Sequence, residues 1–174
     1  KVIFNNSIGD ISSVDIETGE LMWQTPTQSS VIYDDSFFLK TSDIIADNKN
    51  LYFSNNKGVF FSLDINEGIL NWKQNINSYL RPTLIDNYIF TISDEGYFFI
   101  IDKISGNIIR VTDIFKNVKP KKRNKIKPTG FIVGKNDVYL TTDNGRLLVV
   151  DITTGKIKST IKVDRDKILR PSVL

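Results

Sequence analysis

Four segments of the chain align without gaps: residues 9–19, 58–68, 96–106 and 145–155. Each opens on a glycine, places an aspartate six residues on (Asp15, Asp64, Asp102, Asp151) and closes on a glycine four residues later (Gly19, Gly68, Gly106, Gly155). An internal repeat of this kind constrains architecture more than any local propensity, because each copy is one structural unit that buries its faces by stacking on the next. Short apolar runs precede the copies at 2–4, 51–53, 88–90 and 138–140. Between run and glycine stand Ser7-Ile-Gly9, Asn56-Lys-Gly58, Asp94-Glu-Gly96 and Asp143-Asn-Gly145, the composition of a tight hairpin with a positive-φ glycine. The Asp-x-x-(Thr/Glu/Ser)-Gly stretch reads as a second turn, in which the carboxylate accepts backbone N–H groups and glycine takes the left-handed conformation.

Further strands follow the second turn at 20–24, 69–74, 107–112 and 156–162, and others precede the units at 43–47, 82–86, 129–133 and 171–174. One repeat is therefore four short antiparallel strands, the blade of an all-β propeller. The aspartates are spaced 49, 38 and 49 residues apart, close to the roughly 40–50 residues of blade repeats. The longer intervals come from loops at 25–41 and 116–127. Abundant Phe, Tyr and Ile favour strands, and no periodicity supports a long amphipathic helix. The expected organisation is a single propeller segment: a partial blade at 1–25, blades at 42–77, 81–115 and 128–163, and the first strand of a further blade at 170–174. One unit is thus split across the two ends, which predicts a piece of a larger ring rather than a closed four-bladed one. Its uncovered faces should drive self-association or pairing with a complementary propeller half.

The chain has no cysteine and no histidine. Disulfides, thiol chemistry, His- or Cys-based zinc sites and histidine triads are excluded from this chain alone. No apolar run approaches the roughly 20 residues of a membrane helix. The net charge of +3 conceals a division: seven lysines and arginines lie between 116 and 127 with no acid among them, which leaves the remainder at −4. A nucleic-acid binder with a broad basic face would not be built this way, and nucleic acid is not an expected partner.

Ser13-x-Asp15-x-x-Thr18-Gly19-x-x-x-Trp23 resembles the tryptophan-docking motif of pyrroloquinoline-quinone (PQQ)-like propellers, and Ser62-x-Asp64-x-x-Glu67-Gly68-x-x-x-Trp72 keeps its frame. The resemblance implies that Trp23 and Trp72 pack between blades. It also implies weaker locking in the later copies, where Arg110 and Ser159 stand in the tryptophan position. Within the superfamily the chain looks most like the BamB-type lipoproteins of outer-membrane protein assembly, and would correspond to roughly the second half of an eight-bladed ring. That resemblance implies a bacterial, periplasmic, outer-membrane-associated scaffold that binds a protein of the assembly machine. It implies no cofactor, and membrane contact only through a lipid anchor outside this segment. The competing reading is a fragment of a PQQ-dependent dehydrogenase. Those enzymes use a vicinal cysteine pair, Ca²⁺ ligands and a catalytic aspartate, and this segment offers neither cysteines nor a recognisable ligand set. A propeller module for some other partner is the third reading.

The repeated Asp15, Asp64, Asp102 and Asp151 are expected to cap turns, since a shared structural role explains four copies and a single catalytic centre does not. No catalytic or metal-binding residue is assigned. Candidates for partner binding are the acidic loop residues Asp34, Asp35 and Asp43, the blade-entry arginines Arg81 and Arg170, and Lys121, Lys122 and Arg123 of the basic stretch. That stretch has two readings, a polyanion-binding loop or a solvated insertion between Pro120 and Pro128. It carries no aromatic residue on which bases could stack.

Overall fold

The computed structural model describes residues 1–6, 9–27, 41–55 and 57–164. The expected strand at 170–174, the candidates Asp34, Asp35 and Arg170, and part of the loop after Trp23 lie outside the described residues. The chain divides into two compact units, Lys1–Tyr79 and Leu80–Leu174.

Among the described residues the first unit holds two sheets. β1 (Val2–Asn5), β2 (Asp10–Val14) and β3 (Leu21–Pro26) form a three-stranded sheet; β4 (Ile45–Ala46), β5 (Asn50–Ser54), β6 (Phe60–Asp64) and β7 (Leu70–Gln74) form a four-stranded one. The second unit holds two four-stranded sheets. One comprises β8 (Thr83–Ile85), β9 (Tyr88–Ile92), β10 (Tyr97–Asp102) and β11 (Ile108–Asp113). The other comprises β12 (Pro128–Val133), β13 (Asp137–Thr142), β14 (Arg146–Asp151) and β15 (Ile157–Lys162). A single helical turn, α1 (Pro120–Arg123), lies between the two. Every sheet is an antiparallel meander in chain order, the strand arrangement of a propeller blade.

Burial follows the position of a strand in its sheet. The second and third strands of each four-stranded sheet are largely covered, as in β5 and β6, whereas the last strands β3, β7, β11 and β15 are mostly exposed. The middle strands are accordingly near-continuous apolar runs, because both of their faces are shielded. In the first unit Ile11, Leu51, Phe53, Phe61 and Leu63 form the core cluster, with Ile3, Trp23 and Ile44 packed against it. The rings of Phe53 and Phe61 stack with centroids 5.3 Å apart. Each such side chain, fully buried, contributes about 1.5–3 kcal/mol.

Two of the first strands, β4 and β8, are shorter than the sequence pattern suggests, whereas β12 covers the whole of the expected 129–133. β4 is two residues long because the Asp47 carboxylate accepts the N–H groups of Lys49 (2.9 Å) and Asn50 (2.8 Å) and turns the chain there. β8 begins after Pro82, which has no N–H for a ladder, and ends at Asp86, whose φ of 52° places it in the left-handed region.

The register of the third and last strands repeats across the sheets. Ser13 faces Trp23, Ser62 faces Trp72, Ile100 faces Arg110 and Val149 faces Ser159, and an irregularity follows each pair one residue later. The same cross-strand position is therefore presented four times from the same point of the outer strand. Its chemistry differs from sheet to sheet.

Candidate functional site

The repeated aspartates are occupied by their turns. Asp15 Oδ1 accepts the N–H of Glu17 (2.8 Å) and Thr18 (2.9 Å), and Asp64 Oδ1 those of Asn66 (2.7 Å) and Glu67 (2.9 Å). Asp102 Oδ1 accepts from Ile104 (3.1 Å) and Ser105 (2.8 Å), and Asp151 Oδ1 from Thr153 (3.0 Å) and Thr154 (2.7 Å). In each case the glycine four residues on donates its N–H to the aspartate carbonyl, at φ between 68° and 74°. Hydrogen bonds to the ionised form hold all four carboxyls below the ordinary aspartate range, the N–H of the third residue on leading each time. At Asp151 the Lys158 ammonium adds to this, and Lys158, shared between Asp137 (2.6 Å) and Asp151 (3.0 Å), is itself raised. A carboxylate held ionised in this way is a poor general acid. Among the described residues no cluster of three or more acidic, histidine or cysteine side chains could hold a metal ion.

The hairpins before the repeat are capped one residue earlier than the sequence pattern indicates. Asn6 Oδ1 accepts the N–H of Asp10 (2.9 Å), Asn55 Oδ1 those of Lys57 (3.1 Å) and Val59 (3.2 Å), and Ser93 Oγ that of Tyr97 (3.3 Å). These residues stand three positions before the glycine, and the glycine N–H returns to their carbonyls. They were hidden by their variety: two asparagines and a serine accept in the first three hairpins, and in the fourth the Thr142 hydroxyl instead donates to the Arg146 carbonyl.

Within each unit, the outer strand of one sheet meets the second turn of the next. In the first unit the Trp23 ring lies directly over Gly68, so that a Cβ there would overlap it, and Thr25 Oγ1 donates to the Gly68 carbonyl at 2.7 Å. Among the described residues the buried Trp23 Nε1–H has no hydrogen-bond partner, and the atoms that meet Gly68 are carbons of the ring. Lys1 Nζ reaches the same turn, donating to the Ile65 carbonyl (2.9 Å) and Asn66 Oδ1 (2.7 Å). In the second unit Arg110 holds the position of Trp23, and its guanidinium donates to the carbonyls of Ile152 (3.2 Å) and Thr153. Thr112, two residues on as Thr25 is from Trp23, closes over Gly155. The substitution of tryptophan by arginine thus replaces a stacked ring with charge-assisted hydrogen bonds rather than leaving the position empty. Within the first unit the Trp72 ring lies against its own sheet, with centroids 6.0 Å from Phe60 and 6.1 Å from Tyr52.

The basic stretch is only partly a solvated loop. α1 has Pro120 at its start, with no side-chain cap and no acidic residue in its first turn. Arg123 is tied down: its guanidinium meets Asp113 Oδ2 at 2.7 Å and the Glu95 carbonyl at 3.3 Å, and lies over the Tyr97 ring at 5.1 Å. Hydrogen bonding to Asp113 raises its pKa further above the usual arginine value. The end of the stretch is fixed where Asp143 Oδ1 accepts the Lys127 N–H (2.9 Å) and the Lys127 carbonyl accepts that of Asp143 (2.9 Å). Lys121 and Lys122 are exposed, as are Asp43 and Arg81. Asp43 lies in the first unit and the other three in the second, so no single cluster within a unit gathers all four. Beneath α1 the second unit has a cavity of about 420 Å³, between the 115–126 segment and β14–β15.

Repeated four-stranded meanders, turn-capping aspartates and outer-strand docking define the class as a propeller of PQQ-like blades. The family described as outer membrane protein assembly factor BamB matches residues 1–112. The chain belongs to that family. A curated relative, the outer membrane protein assembly factor BamB of Legionella pneumophila (strain Paris), is 23% identical over 142 residues, which is 80% of this chain and 32% of the relative. The chain therefore spans about a third of that relative's length. Among solved structures, BamB from Moraxella catarrhalis superposes with a TM-score of 0.63 at 16% identity, covering 92% of this chain and 44% of that one. The β-propeller domain of Cps50 (Swd1) from Myceliophteria thermophila gives 0.72 at 14% identity, covering 96% and 52%. The computationally designed Ika8 protein gives 0.67 at 16%, covering 95% and 47%. At these identities the structural likenesses establish the fold, and they place the chain among propellers of varied origin.

Proposed function

We propose that the chain is part of a non-catalytic propeller scaffold that binds a protein partner during outer-membrane β-barrel assembly, in the periplasm of a bacterium. Family membership supports the pathway. The observation that carries the non-catalytic reading is the commitment of all four repeat carboxylates to backbone N–H groups of their own turns. In this reading Trp23 and Trp72 are blade-locking residues of the tryptophan-docking type, and the segment is one part of a larger ring, of eight blades by family resemblance. Partner contacts fall on the exposed inter-blade residues Asp43, Arg81, Lys121 and Lys122. Arg123 serves the fold instead, since its charge is met by Asp113. A titration of the complete natural protein against the periplasmic domains of the assembly machine tests the proposal. Saturable binding weakened by charge reversal at Lys121 and Lys122 is the expected result; no binding by the complete ring would overturn it.

A further inference from the structure

The cavity beneath α1 combines two kinds of lining. Its floor is apolar, built from Phe115 after β11, Leu148 on β14 and Ile157 on β15. Its rim carries Lys122 and Lys125 from the basic stretch and Arg146 from the start of β14. Phe115 and Leu148 are 1% and 6% exposed and Ile157 37%, whereas Lys122, Lys125 and Arg146 are exposed. None of the three rim cations is ion-paired among the described residues. The volume, about 420 Å³, lies within the range of small-ligand sites.

The hydrogen-bonding state of the lining narrows the ligand. Thr142 Oγ1, the buried hydroxyl at the floor, already bonds to Asn144 Oδ1 (2.7 Å) and the Arg146 carbonyl (3.3 Å). A peptide inserted here would bring one backbone N–H and one C=O per residue to a floor of Phe115, Leu148 and Ile157 whose buried hydroxyl is already engaged, which is costly. An unbranched hydrocarbon brings none. We infer that this cavity binds a single-chain anionic amphiphile, its hydrocarbon on Phe115, Leu148 and Ile157 and its carboxylate or phosphate among Lys122, Lys125 and Arg146. The inference does not rest on the scaffold reading; Lys122 is common to both sites, whereas Lys125 and Arg146 are not among the residues proposed there to meet a protein.

Dodecanoate below its micellar concentration is the probe, titrated calorimetrically into the full chain at low ionic strength. The expected result is one saturable site, with dodecanol bound roughly tenfold more weakly for want of the rim charges. Dodecyl phosphate should bind like dodecanoate, whereas inorganic phosphate and acetate should fail to compete. The double variant Lys125→Glu/Arg146→Glu changes exposed positions and should lose about tenfold in affinity while keeping its circular dichroism. Thr160→Trp, which places a ring into the cavity from exposed β15, should abolish binding with the charges intact. Equal affinity for dodecanol, full competition by inorganic phosphate, unchanged binding in both variants, or tight binding of a Leu-Glu-Glu peptide with none of dodecanoate would each overturn the inference. Dodecyl phosphate binding without dodecanoate binding would overturn it as stated, because the shared anionic head would not suffice.

Discussion

Replacing Gly68 with alanine should be much costlier than the equivalent change at Gly19. Both glycines close the same turn of the repeat, with φ of 70° and 74°. An L-residue in that conformation costs about 1–2 kcal/mol, so backbone strain is nearly the same at the two sites. Their surroundings differ. At Gly19 a Cβ meets no atom within 4 Å, whereas at Gly68 it would overlap the Trp23 ring and approach Thr25 Oγ1. Overpacking of that kind adds about 1–3 kcal/mol. Gly19→Ala should therefore lose about 1–2 kcal/mol and Gly68→Ala about 2–5. Urea unfolding followed by far-ultraviolet circular dichroism gives both values, with equal m-values as the sign that only stability has changed. Repeating Gly68→Ala in a Trp23→Ala background should recover about 1–3 kcal/mol as coupling between the two positions. Equal losses at Gly19 and Gly68, or no coupling to Trp23, would refute the docking of the first sheet's outer strand on the second sheet's turn.

Three further outcomes follow from the same geometry. Arg110→Ala should cost about 1 kcal/mol, because the bonds to the Ile152 and Thr153 carbonyls are charge-assisted but exposed; urea unfolding reads it, and a neutral result would mean the second unit's sheets dock without this side chain. The four turn aspartates titrate below their unfolded value, so their contribution is complete above about pH 4 and drains away as acid protonates them in the fold; acid unfolding monitored by circular dichroism should shift to higher pH in Asp64→Asn and Asp102→Asn. Arg123→Ala should release the 116–127 stretch, raising amide exchange there by deuterium labelling while the strands keep their protection; unchanged exchange would show that the Asp143–Lys127 pair alone orders it.

What the sequence conveyed and what it withheld divide along the range of the interactions. Asp15 and its three counterparts were legible because a turn-capping carboxylate acts on residues two and three positions away, and a repeat displays that spacing four times. The fold class followed, since strand, turn and strand recur with the same offsets. The capping Asn6, Asn55 and Ser93 were less legible, because any short side chain with an acceptor performs the task. Arg110 could be aligned with Trp23 but not interpreted: its partners are carbonyls 42 and 43 residues away, on the neighbouring sheet. The same holds for Arg123, which is one basic residue among seven until Asp113 and Tyr97 are brought beside it. The cavity left no mark at all, because its lining is assembled from the end of one sheet, an insertion and three strands of another.

The non-catalytic role of the four repeated carboxylates depends on their serving as turn caps, with Lys158 an added partner at Asp151 alone. Carbon-13 nuclear magnetic resonance of the aspartate side-chain carboxyls, followed from pH 2 to pH 7, tests that directly. Asp15, Asp64, Asp102 and Asp151 should all titrate below the ordinary aspartate value, each as an independent site. A single member of the four raised above that value, or two titrating as a coupled pair, would contradict it.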